Sequence, residues 1–392
     1  MSRPLIATNQ PIDWYLDWDG TITKDDTLDA LVNIAVRKKI DANIQEQWES
    51  LGFDYMVDYS EIYGEYIRDL PTTVPAEKEF LKAVEAAERR SVDRVSDSGI
   101  FQGLNEDDIK DGAKDTVQND EVQIRPGYVD FVKNLMHWDR NIEQMTGVGT
   151  IRGQRGQKPR RELFTILSVN WSARFIEECL KSAAAWGGQY RKKPTICANE
   201  LENIPSLEDS ERRRSEYDGP GDLFPEAPPS TGRIVPGPGQ QSRIIFSRDK
   251  LERFSRTEAP NADGNPVPKV YIGDSWTDLE CLLAADLGIC IRDDPMGGTQ
   301  QKLAQSLDRL GIECPRLLDI LYIEHEEPKA NDWSIVWARD FREIMVWLHW
   351  RSMSKKKRKD TRRDLRRALE SGHENGVMDG YLTDPETDQS AH

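Results

Sequence analysis

The sequence predicts an α/β fold: a Rossmann-like parallel sheet core, an all-helical module inserted behind its first strand, and a helical C-terminal extension. Three observations predict it. Trp14-Tyr15-Leu16 reads as a short buried strand stopped by acidic residues and Gly20. From about Thr27 to Gln123 the apolar spacing stays helical. After residue 160, short apolar runs alternate with amphipathic segments, the pattern of parallel strands joined by helices.

Taken in order, Leu28, Leu31, Val32 and Ala35 fall on one helical face behind the first strand. Tyr55–Leu70 and Glu77–Ala87 continue the helical spacing, broken by Pro71 and Pro75. Arg125-Pro126-Gly127-Tyr128 returns the chain to the core, and Val129, Phe131, Val132 and Leu135 form a helix face. Asp139–Glu162, with four glycines and six Lys or Arg, reads as a flexible loop. Leu163–Val169 is a buried strand, Arg174–Trp186 an amphipathic helix and Thr195–Ala198 a short strand. Pro205–Gly239 carries seven Pro and five Gly and has the composition of a disordered insert. Lys250–Arg256 starts a helix, Val270-Tyr271-Ile272 is a strand, Asp278–Ala285 a helix and Gly288–Ile291 a last strand. Trp337, Phe341, Ile344 and Leu348 then repeat at helical spacing. The expected organisation is a core of residues 1–26 and 124–328, a helical cap of 27–123, and an amphipathic, then basic, tail of 329–392.

The 392 residues suffice for a sizeable core, and no window approaches the roughly 18 apolar residues of a membrane span. The N-terminal residues lack a basic n-region and apolar h-region, so secretion is disfavoured. Five cysteines with no CxxC pair argue against a disulfide framework or zinc module, and a cytoplasmic interior is expected. Net charge is −16, yet Arg351–Arg367 holds ten Lys or Arg against two Asp, a local +8 that leaves −24 elsewhere. Such a body is no general nucleic-acid binder. The run Lys355–Lys359 alone reads as a nuclear-import or nucleic-acid patch, or equally as a solvated helix face.

Two constellations carry chemistry: Asp17-Trp18-Asp19-Gly20-Thr21 and Gly273-Asp274-Ser275-Trp276-Thr277-Asp278. Each places acids just past a strand, at the edge where open α/β sheets bind ligands. Brought together, these carboxylates cannot all ionise without a cation. An all-oxygen donor set favours Mg²⁺, which also admits an anionic phosphate to an acidic protein. Five scattered histidines give no support to a His-based site.

These residues resemble the haloacid dehalogenase-like phosphohydrolases. Asp17-x-Asp19-Gly20-Thr21 matches that family's first motif and Gly273-Asp274-x-x-x-Asp278 its fourth; Ser168, closing Phe164–Leu167, matches the second and Lys250 the third. The resemblance implies Asp17 as nucleophile, Asp19 as general acid and then base, and Ser168, Lys250, Gly20 and Thr21 around the phosphate. It implies Asp17, Asp19, Asp274 and Asp278 at the metal, with Asp19 contributing its carbonyl and Asp278 supporting Lys250. The helical insertion corresponds to the family's C1 cap, a lid that admits a small phosphorylated metabolite. Arg89-Arg90-Ser91-Val92 and Cys197–Leu201 look closest to the phosphoserine phosphatase-like branch, and the Pro/Gly insert and tail suggest a fungal lineage. Val169-Asn170-Trp171 departs from the glycines that follow the second motif in that branch, which puts phosphoserine itself in doubt.

The residues alone leave alternatives. Ser168 also reads as a backbone-bonded strand-end hydroxyl, and Lys250 as a solvated lysine with Lys269 or Arg248 in its place. Asp278, Asp25 and Asp26 also fit as helix-start carboxylates, Trp18 and Trp276 as packing aromatics, and Arg89 or Arg90 as either a substrate-anion reader or a surface residue. The expected activity is an Mg²⁺-dependent phosphomonoesterase. A phosphomutase with the same motifs, or a non-catalytic interaction protein acting through its tail, are the competing readings. Asp19 disfavours a dehalogenase.

Overall fold

A computed structural model describes residues 12–39, 43–135, 163–185, 193–216, 227–256, 267–322, 334–352 and 363. The first strand, β1 (Asp13–Leu16), is followed by a tight loop and four helices: α1 (Leu28–Lys38), α2 (Ile44–Tyr66), α3 (Val74–Ser98) and α4 (Glu106–Gln118). Residues 128–135 form α5. Then come β2 (Phe164–Leu167), α6 (Ala173–Ser182), β3 (Thr195–Cys197), β4 (Glu200–Leu201), α7 (Leu207–Glu216), β5 (Ile234–Val235) and α8 (Ser247–Arg256). The chain continues through β6 (Lys269–Gly273), α9 (Leu279–Ala284), β7 (Leu287–Ile291), α10 (Gly298–Arg309), α11 (Leu317–Tyr322), β8 (Ile335–Ala338) and α12 (Phe341–Ser352).

Six strands form one sheet in the order β3-β2-β1-β6-β7-β8, and every pairing is parallel. β4 and β5 make a separate antiparallel pair. Side chains alternate across a strand, so Trp14 and Leu16 enter one core while Tyr15 enters the other. On the first face Trp14 meets Phe131 of α5 and Trp347 of α12 edge-on, at 5.1 and 6.3 Å. On the second, Tyr15, Tyr271 and Phe254 of α8 pack together. The result is a doubly wound α/β sandwich, as the alternating pattern predicts. None of its described helices is long and apolar enough to cross a membrane.

The helical insertion divides into two parts. Leu31 and Ile34 of α1 and Ile109 and Ala113 of α4 belong to the same core as Trp14 and Phe131. Phe80, Leu81 and Val84 of α3 join the opposite core, and α2 lies outermost, with Phe53, Met56, Val57 and Ile67 exposed. Local signals set the breaks: Thr73 caps α3 through Ala76 N–H, Gly99 at φ +72° ends it, and an Asn105–Asp108 capping box opens α4.

Two expectations are corrected. Residues 335–352, assigned by their spacing to a tail, supply edge strand β8 and a helix whose Phe341, Ile344 and Trp347 are fully buried. Ile335–Ala338 has only four residues, too few to stand out from the helical spacing beside it. The Pro/Gly insert is not wholly irregular either, since it contributes α7 and β5, and Glu200 and Leu201 pair with Val235 and Ile234. The whole stretch 139–162, and the run Lys355–Lys359, lie outside the described residues.

Candidate active site

β1 and β6 are neighbours and end together, which brings the two acidic stretches to one point. Asp17 follows β1, its N–H donating to the Ile272 carbonyl at 2.9 Å. Carboxylate oxygens of Asp17, Asp274 and Asp278 all lie within 4.8 Å of one another, and all three residues are buried. Lys250, at the first turn of α8, is fully buried between them: its Nζ lies 2.7 Å from Asp17 Oδ2 and 2.8 Å from Asp278 Oδ1. Lys269 instead donates to the Phe254 carbonyl at 3.0 Å, and Arg248 faces Glu252, so neither takes that position.

Asp278 is saturated. Besides Lys250 it accepts the Tyr271 hydroxyl at 2.7 Å and the backbone N–H groups of Asp274 and Ser275, each at 3.0 Å. Burial opposes its charge most strongly, but the Lys250 ammonium together with the hydrogen bonds from Lys250, Tyr271 and Ser275 N–H holds its pKa below the usual carboxylate range. The other two acids move the opposite way. Burial and then Asp278 push Asp17 well up despite Lys250, and the same pair of causes raises Asp274 to about 7. Among the described residues the Asp274 carboxylate accepts two hydroxyls, Thr21 Oγ1 at 3.0 Å and Thr299 Oγ1 at 3.3 Å. Three carboxylates facing one lysine are short of positive charge, and the donor set around the gap is all oxygen, which fits a hard divalent ion.

Two glycines permit this approach. Gly20 sits at φ +69°, and a Cβ there would collide with the Asp274 carboxylate; a Cβ on Gly273 would collide with that of Asp278.

Asp19 stands apart from the three. Its Oδ1 accepts Thr27 N–H at 2.8 Å and Thr27 Oγ1 at 2.6 Å, and its Oδ2 accepts Asn170 Nδ2 at 3.1 Å. Its carboxylate lies outside the acid cluster; the metal contact expected of Asp19 is through its backbone carbonyl. Burial raises its pKa, which favours the protonated form. Ser168 is also buried; its hydroxyl accepts Asn170 N–H at 3.0 Å, the strand-end arrangement, and it is absent from the cavity wall.

Sequence reasoning missed Arg125. Its side chain is 2% exposed. It donates to the carbonyls of Thr21 at 3.0 Å and Gly20 at 2.7 Å, and pairs with Asp293. It thereby fixes the loop that carries Asp17 to Thr21. The Arg-Pro-Gly return was the only available signal. Asn170 and Tyr271 are likewise missed: Asn170 reaches Asp19 and Thr27 in the loop behind β1, and Tyr271 reaches Asp278 just past its own strand.

A cavity of about 390 Å³ opens over the acids, lined by Asp17, Asp19, Gly20 and Asp274 below and by α2 and α3 above. A larger cleft of about 600 Å³, between α3 and α8, includes none of the clustered acids. Trp276 and Asp26 line the smaller cavity, whereas Trp18 packs in the core with its Nε1 on Thr27 Oγ1 at 3.0 Å. Arg89 and Arg90 do not line it: Arg89 pairs with Glu85 and Asp249, and Arg90 with Asp58.

No family model matches the chain. It is 27% identical over 309 residues to a CTO1 family protein of Schizosaccharomyces pombe, covering 78% of this chain and 88% of the relative. It is 23% identical over 283 residues to Cold tolerance protein 1 of Saccharomyces cerevisiae, covering 68% and 74%. Among solved structures, a substrate-bound phosphoserine phosphatase aligns over 86% of this chain and 98% of its own, at 13% identity and a TM-score of 0.37.

Proposed function

We propose that this chain is a haloacid dehalogenase-like phosphomonoesterase that hydrolyses a small phosphorylated metabolite through an aspartyl-phosphate at Asp17. The observation that carries the reading is the fully buried Lys250, 2.7 Å from the strand-end carboxylate of Asp17 and inside a cluster completed by Asp274. A structural ion pair needs no third acid and no cavity opening onto it.

In this reading Asp17 attacks phosphorus, forming an O–P bond as the ester P–O bond breaks. Lys250 faces the negative charge that spreads over the phosphoryl oxygens, and Thr21 and the Gly20 backbone shape the floor. Asp19, whose protonated form burial favours, gives its proton to the departing alcohol. Deprotonated Asp19 then takes a proton from water, whose oxygen attacks phosphorus and releases phosphate and free Asp17. Asp17, Asp274 and the Asp19 carbonyl would hold Mg²⁺, with Asp278 fixing Lys250 beside it. When bound, that ion supplies the positive charge the carboxylates lack and neutralises the incoming phosphate.

The test is phosphate release from an aryl phosphate with and without Mg²⁺, no bisphosphate activator being present. Wild-type turnover that falls to background with a chelator, and in Asp17→Asn, is the expected result. Undiminished turnover in Asp17→Asn would overturn the assignment, and a strict need for a bisphosphate would mark a phosphomutase.

A further inference from the structure

We propose that the alcohol this enzyme releases is a planar aromatic or heteroaromatic one that carries no carboxylate. The inference rests on the hydrolase reading and narrows it to a substrate class. Six aromatic side chains line the cavity from two sides. Trp48, Tyr55 and Tyr59 come from α2, where spacings of seven and four place them on one face. Trp171, Phe246 and Trp276 come from the loops and helix starts at the sheet's edge. Trp48 and Trp171 meet edge-on at 5.8 Å across the gap between insertion and core. Aromatic rings on both sides suit an aromatic group, with the phosphate on the acids below.

Charge points the same way. No arginine or histidine occurs among the described residues of the wall, and Lys302 is its one cation. That ammonium is already engaged, 4.5 Å from the Tyr59 ring and 5.4 Å from the Trp276 ring. Glu88, bonded by the Tyr55 hydroxyl at 2.8 Å, and Asp26 also face the cavity. A leaving group bearing a carboxylate meets two acids there and no arginine to read it. Arg89 and Arg90, the residues the sequence offered for that task, are spent on Asp249, Glu85 and Asp58.

The test uses the full chain with Mg²⁺ and three probes: benzyl phosphate, O-phosphoserine and glycerol phosphate. We expect kcat/KM to favour benzyl phosphate at least tenfold. Calorimetry on Asp17→Asn, which does not turn over, is expected to show the same order of affinity. Trp48→Ala should raise KM for benzyl phosphate at least fivefold with a smaller change in kcat, and Trp48→Phe should restore it. Phosphoserine or glycerol phosphate equalling benzyl phosphate in turnover and in binding overturns the inference. Tight benzyl phosphate binding without turnover of any probe upholds the pocket's selectivity and counts against the hydrolase reading instead.

Discussion

The floor and the roof of the cavity are built on opposite principles. The floor, at the tips of β1 and β6, is polar and rests on a hydrogen-bonded acid: Asp278 accepts from Lys250, Tyr271 and two backbone N–H groups. The roof is aromatic along α2, and one of its hydroxyls, Tyr59 Oη, is buried without a hydrogen-bond partner among the described residues. Its charged residues pair near the surface, as Arg90 and Arg94 do with Asp58, contacts that contribute little to stability. A hydrogen-bonded floor holds reacting atoms in one geometry, whereas an aromatic roof selects by shape. Substitutions below should therefore move kcat or stability, and those above should move KM.

The largest expected effect that sharpens this contrast comes from Arg125→Met. Removing the guanidinium leaves the carbonyls of Gly20 and Thr21 without their donor and frees the loop carrying Asp19. We expect a loss of about 3 kcal/mol in chemical denaturation, together with a fall in kcat. A normal kcat would break the link between the clamp and the floor.

An effect of similar size follows from Glu200, in the separate β4–β5 pair. Burial raises it to about 7, against the donors Ser172, Arg174 N–H and Leu201 N–H. Its folded pKa lies above the unfolded value near 4.5, so the folded state binds the extra proton. Its contribution is complete below that lower value and is lost as pH rises through about 7, at a cost on the order of 3 kcal/mol. Denaturation midpoints between pH 5 and 8 should fall accordingly, and Glu200→Gln should flatten the slope.

Removal of residues 353–392 should leave turnover intact. A cut at residue 331 removes β8 and α12 with it, and is expected to unfold the sheet's edge. Phosphate release and circular dichroism of the two truncations separate a dispensable end from a structural one.

The smallest effect belongs to the roof. Tyr59→Phe deletes an unpartnered hydroxyl, so stability should stay within about 0.5 kcal/mol of the parent. A larger loss in thermal melting would mean that the roof is polar after all.

The floor was the more legible region. Asp-x-Asp-Gly beyond an apolar triplet and Gly-Asp-x-x-x-Asp beyond another identify the acids, because strand ends and carboxylates are local features. Lys250 was recoverable as a lysine opening a short helix, although only the fold shows that Lys269 and Arg248 point elsewhere. Arg125 was invisible, since its partners are backbone carbonyls about a hundred residues away in sequence. Ser168 was legible as a strand end, and its backbone-bonded reading is the one seen, on Asn170 N–H. β8 escaped because four residues cannot establish a period against the helix that follows. The roof's aromatics were visible as helical spacing, which does not distinguish a packed face from one that lines a cavity.

The most direct measurement is chemical trapping of the covalent intermediate. Borohydride reduction of the enzyme quenched during turnover of an aryl phosphate, followed by peptide mass spectrometry, should place the reduced acyl-phosphate at Asp17. Its absence during active turnover, or its appearance at Asp19 or Asp274, would contradict the mechanism built on that strand-end carboxylate.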